Sequence, residues 1–140
     1  MRGHTASGGT EVLNFGKYKA GYAYRLTEFQ LYPSTNIAGN NDELVGSITA
    51  GKTAIAPTDV NFNDDALIAS AISSMRDHLP VVATYSVIND TFIITQNLIL
   101  MVQDQSGGEP INWQCRFESV KMTGPEEATV NYKQFAISDE

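Results

Sequence analysis

The sequence predicts a mainly β protein with a minor α component: an antiparallel β-sandwich or barrel with one packed α-helix over about residues 64–79. Three observations predict this. Residues 17–32 and 111–117 alternate apolar and polar side chains with the two-residue period of half-buried strands. Residues 81–102 are dense in β-branched and aliphatic side chains, with turn chemistry at Asn89-Asp90. Apolar residues spaced by three and four occur clearly in one stretch, 64–79.

Along the chain, residues 1–16 read as a flexible N-terminal arm and 17–140 as a single β-rich domain. In the first strand Tyr22, Tyr24 and Leu26 share a face, and the pattern then slips to Phe29 and Leu31. A phase change inside one long strand signals a bulge or a bend. Pro33 and the polar residues after it end that strand, and residues 44–50 form a short one with Val45 and Ile48 buried. For the helix, Asn63 is the expected N-cap, and Asp64 and Asp65 place negative charge at the positive end of the dipole. Leu67, Ile68, Ala71, Ile72, Met75 and Leu79 make its apolar stripe, Arg76 and His78 occupy its last turn, and Pro80 stops it.

Residues 91–102 are expected to form one strand, and apolar residues at consecutive positions 98–101 mark it as a central strand covered on both faces. Ile111, Trp113, Cys115 and Phe117 then alternate with Asn112, Gln114, Arg116 and Glu118. Residues 123–127 turn the chain, and 128–137 are expected to return it as a final strand.

Composition narrows the function. A chain of 140 residues can bury a core without disulfides or metals. Its net charge of −7 argues against a surface that grips phosphate backbone, so sequence-specific nucleic-acid binding is not expected. The charge is uneven. Residues 1–37 carry four basic and two acidic side chains, and the remainder five and fourteen. A single cysteine, Cys115, allows no intrachain disulfide and no cysteine-based metal site. The first residues lack the apolar run of a signal peptide, and no stretch of 18 apolar residues suggests a membrane span. The expectation is a soluble chain without membrane contact.

Chemical motifs give little. Residues 46–53, Gly46-Ser47-Ile48-Thr49-Ala50-Gly51-Lys52-Thr53, match the spacing of a phosphate-binding loop. That loop requires a helix opening directly after the lysine, and Pro57 follows too soon. His4 and His78 have no partner pattern. Cys115 is in phase with core residues, and the pairs Asp42-Glu43, Asp64-Asp65 and Glu126-Glu127 lie in turns or at the expected helix start. Asn61 to Asp65 lack the glycine and closing glutamate of a calcium loop. No catalytic, cofactor-binding or metal residue is assigned, no cofactor is expected, and the chain reads as non-enzymatic.

The aromatic residues point elsewhere. Tyr18, Tyr22, Tyr24 and Leu26 crowd the first long strand, and tyrosine is enriched where surfaces meet. Two readings stand open: a core strand, or an oligomer interface formed by these four residues. Residues 108–132, which bear Trp113 and the turn Thr123-Gly124-Pro125-Glu126-Glu127, resemble the closing hairpin of tailed-bacteriophage tail-tube proteins. The resemblance implies a small β-barrel flanked by a helix, in hexameric rings stacked into a tube through which DNA passes. On that basis the expected protein is a structural subunit of a phage virion, assembled in the host cytoplasm. Its expected partners are copies of itself, joined through sheet edges and the N-terminal arm of residues 1–16, and other virion proteins. A capsid decoration or cement protein and a small ligand-binding β-barrel are the alternatives.

Overall fold

The structure, a computed structural model, describes residues 1–15, 21–35, 40–75, 83–125 and 128–130. Eight strands carry the fold: β1 (Arg2–Thr5), β2 (Thr10–Leu13), β3 (Tyr22–Pro33), β4 (Asp42–Ala50), β5 (Leu67–Met75), β6 (Ala83–Ile88), β7 (Leu98–Asp104) and β8 (Ile111–Lys121). They form two antiparallel sheets, ordered β1-β8-β3 and β2-β7-β4-β5-β6. The fold is therefore a β-sandwich, and the sheets do not close into a barrel.

The phase slip in the first long strand is a bulge. Leu26 faces Phe117 and Phe29 faces Cys115, so β3 advances three residues where β8 advances two. The extra residue, Thr27, donates its hydroxyl to the Arg116 carbonyl at 3.1 Å. The bulge keeps Leu26, Phe29 and Leu31 on the inner face, all at most 2% exposed. Ile111, Trp113 and Cys115 join them from β8, and Leu44, Ile48, Ala69, Ala71, Leu98, Leu100 and Val102 line the opposite sheet. As expected, β7 is a central strand, between β2 and β4.

The sheets meet most closely at Gly46. A Cβ there would lie 3.0 Å from Phe29 Cζ and 3.1 Å from Leu31 Cδ2. Large side chains on β3 thus fill the space that a small residue on β4 leaves.

The helix expected over 64–79 is replaced by strand β5. Leu67, Ala69, Ala71, Ser73 and Met75 are buried, whereas Ile72 and Ser74 point outward, giving a period of two. Small alanines and serines let both periods coexist in the sequence, and pairing of β5 to β4 and β6 on both edges decides between them. The capping signals are real but serve turns. Asn61 Oδ1 accepts from Asn63 N at 3.0 Å and Asp64 Oδ1 from Ala66 N at 2.9 Å, the same short-range bond an N-cap makes. Arg76, His78, Leu79 and Pro80 lie outside the described residues.

The expected arm is likewise built into the domain. β1 pairs with β8 and β2 with β7, so residues 2–13 supply an edge strand to each sheet. Gly3 lies opposite Trp113, and a Cβ there would fall 2.5 Å from the indole Cζ2. The indole Nε1 donates to Thr5 Oγ1 at 3.0 Å, which ties the buried tryptophan to β1. At the other end, residues 128–130 are helical where a returning strand was expected, and 131–137 lie outside the described residues.

Gly46→Val is expected to lower stability by about 1–3 kcal/mol, because its side chain would overlap Phe29 and Leu31. Chemical denaturation measures the difference. Removing residues 1–13 strips both sheets of an edge strand and Trp113 of its cover. The single tryptophan should then emit at longer wavelength, and cooperative unfolding should be lost.

Candidate functional site

The four residues expected at an interface do not form a common exposed stripe. Tyr22, Tyr24 and Leu26 do share a face, but it turns into the core at Leu26 and is exposed at the two tyrosines. Leu26 is completely buried in the core, so its side chain is not on the surface of this chain. The Tyr24 ring packs 5.1 Å from Phe15, which meets Phe117 edge-on at 4.9 Å. The Tyr24 backbone pairs with Ile94 through bonds of 2.9 and 2.7 Å. Tyr24 therefore braces the open end of the sandwich while keeping part of its ring exposed. Tyr22 is also partly exposed, and Tyr18 lies outside the described residues.

The segment with phosphate-loop spacing is strand β4 as far as Ala50, and no helix follows Lys52. Ser47 and Thr49 are buried beneath the following loop. The Ser47 hydroxyl donates to the Ile55 carbonyl, and Thr49 Oγ1 accepts from Ile55 N at 3.2 Å. Neither hydroxyl faces a ligand. The Cys115 thiol is fully buried, and burial pushes its pKa up to about 12, with only a small opposing pull from the N-terminal ammonium. It is a poor nucleophile. Among the described residues no three His, Cys, Asp or Glu side chains are arranged to hold a metal ion.

Sequence reasoning missed an acidic corner formed by residues far apart in the chain. The β4–β7 register sets Leu44 beside Asp104, which brings Asp42 at the start of β4 near Asp104 at the end of β7. Burial, followed by the Asp104 and Glu109 carboxylates, raises Asp42 to about 6. Its Oδ2 accepts from Asn40 Nδ2 at 2.6 Å. Burial also acts to raise Asp104, but hydrogen bonds outweigh it and hold the group below the ordinary carboxylate range. Ser106 contributes its backbone N at 3.0 Å and its hydroxyl at 2.8 Å, and Glu109 N adds a bond of 3.1 Å. Two buried carboxylates with pKa values pushed apart can resemble an acid–base pair. Here the bonds of Asp104 close the loop between β7 and β8, which marks the corner as a structural joint.

A second feature is the outer face of the five-stranded sheet at its β6 end. Ile72 pairs with Tyr85 and Ser70 with Val87, so these side chains share that face. Tyr85 is 69% exposed and Val87 55%. Among the described residues no strand pairs with the outer edge of β6. The strand reads Ala-Thr-Tyr-Ser-Val-Ile and carries no charge. Exposed edges are usually guarded by charge, proline or a covering segment. The sequence signal was the β-branched run at 81–88, which does not reveal that the strand lies at an edge.

Fold and surface together define a two-sheet antiparallel β-sandwich whose uncharged β6 strand has no paired neighbour on its outer edge among the described residues. No family model, curated protein or solved structure matches the chain.

The acidic corner makes stability depend on pH. The folded-state pKa of Asp42 lies above its ordinary value, so its contribution favours the fold at low pH and is lost as pH rises through about 6. Asp42→Asn keeps the acceptor for Asn40 and removes the charge. It should melt at a higher temperature than wild type near neutral pH, and the gap should close toward the ordinary carboxylate range. Melting curves across that range check the sign.

Proposed function

We propose that the chain is a non-enzymatic structural subunit that assembles with copies of itself through the open β6 edge. One observation carries this reading: an uncharged edge strand with Tyr85 and Val87 exposed beside Ile72 on the same sheet face. In a chain of net charge −7, most surfaces of two copies repel each other, and an uncharged strand is where approach costs least. The strand is also self-complementary. Antiparallel pairing of two β6 strands about Ser86 sets Tyr85 of each copy opposite Val87 of the other, and continues the five-stranded sheet across a twofold axis.

The setting proposed for this assembly is a phage particle. Support comes from the likeness of the Trp113 strand and the Gly124-Pro125 turn to the tail-tube closing hairpin. The helical residues 128–130 limit that likeness to β8 and its turn. A tail-tube position requires the edge of one copy to meet a different edge of the next, so that contacts close into a ring. Twofold pairing alone suits a smaller assembly unit.

Sedimentation of the purified chain over a concentration series should report assembly. Val87→Lys places a charge on the exposed face and should return the chain to monomer at an unchanged melting temperature. A wild-type chain that stays monomeric at millimolar concentration overturns the proposal.

A further inference from the structure

The outer face of the three-stranded sheet holds an open groove of about 810 Å³. Strand register arranges its floor as two rows of three. Arg2, Gln114 and Gln30 lie side by side across β1, β8 and β3, and His4, Asn112 and Tyr32 form the next row. Adjacent strands are roughly 4.8 Å apart and alternate residues roughly 6.7 Å apart along each strand, so the grid spans about one to two sugar rings.

The chemistry of the grid is specific. The Gln30 and Gln114 amides each offer a donor and an acceptor, which matches neighbouring hydroxyl groups that do the same. The Asn112 amide, which accepts from His4 and donates to the Pro33 carbonyl at 3.5 Å, keeps one N–H and one lone pair. Tyr32 is 49% exposed and offers a ring for stacking. His4 donates from Nδ1 to Asn112 Oδ1 at 2.8 Å, which orients both side chains and leaves Nε2 as the remaining ring nitrogen. Arg2 supplies a forked cation suited to a carboxylate. Among the described residues no Asp or Glu lines the groove, in a chain that carries 16 of them. The nearest carboxylate in the next row, Glu28, is neutralised by Arg116 at 3.1 Å.

We infer that this groove binds an acidic saccharide. The sugar ring stacks on Tyr32, its hydroxyls bond to Gln30, Gln114 and Asn112, and its carboxylate pairs with Arg2. A nucleic-acid strand fits less well, because phosphate tracking needs several cations and the described lining of the groove has one arginine and one histidine. The site lies on the opposite sheet from β6, so it is independent of the assembly reading and is tested separately.

Saturation-transfer NMR and calorimetry on the full chain provide the test. The probes are trigalacturonate, a hyaluronan tetrasaccharide and sialyllactose, each compared with its neutral methyl ester, with inorganic sulfate as a control anion. At least one acidic probe should bind about tenfold more tightly than its ester, since a charge-assisted pair is at stake. Arg2→Gln should abolish that difference. Tyr32→Ala should weaken binding about tenfold, and Tyr32→Phe should restore it, at unchanged melting temperatures. Three results overturn the inference: no binding by any probe at millimolar concentration, equal binding of acids and esters, or displacement by sulfate as effective as by saccharide.

Discussion

Which face of β3 looks inward is decided by one extra residue, and the sandwich depends on it. Thr27 lets the strand advance three residues against two on β8, so Leu26 and Phe29 both reach the core despite their odd spacing. Without the bulge, a strict two-residue alternation would turn Phe29, Leu31 and Pro33 outward whenever Leu26 pointed in. Phe29 and Leu31 are the side chains that close over Gly46, so the sheet-to-sheet contact rests on the same offset. The outward row of Gln30 and Tyr32 follows from it as well, as does the grid those residues form with Asn112 and Gln114.

Around that frame several buried polar groups are satisfied by nearby backbone and side chains. Ser47 and Thr49 bond to the loop above them, Trp113 to Thr5, and Asp104 to the turn that it closes. The strain concentrates at Asp42, whose buried carboxyl faces two others. Its cost is tolerated because the pairing of β4 with β7 extends as far as Leu44 and Asp104. The two sheets then present opposite surfaces. One has an uncharged edge suited to a second copy, and the other has a floor of amides, one guanidinium and one phenol. Separate surfaces allow a subunit to assemble through one sheet while keeping the other available to a ligand.

Much of the core was legible before any coordinates. The alternation at 111–117, the slip between Leu26 and Phe29, the central place of the strand around 98–101 and the buried Cys115 all depend on local side-chain order. That strand, however, begins at Leu98 rather than Thr91, and its outward Ile99 and Met101 are half-buried. The misreadings have a common cause. Residues 67–75 satisfy the helical and the strand periods equally well. Asn61 and Asp64 accept in turns the same short-range bond that an N-cap accepts, so the expected cap Asn63 is a donor through its backbone N–H instead. Residues 2–13 look like an arm because each strand there is four residues long and gains its meaning only from a partner some 90 to 110 positions away.

By itself, then, the sequence determined the β class, the bulge and the alternating faces, because these follow from the order of neighbouring side chains. Only the tertiary structure decided that residues 67–75 are a strand, that the N-terminal residues are edge strands and that Asp42 meets Asp104. It also decided that β6 ends its sheet and that Arg2 stands beside Gln114 and Gln30. These are contacts between distant segments, and register between strands is set by the whole core at once rather than by any one stretch of chain.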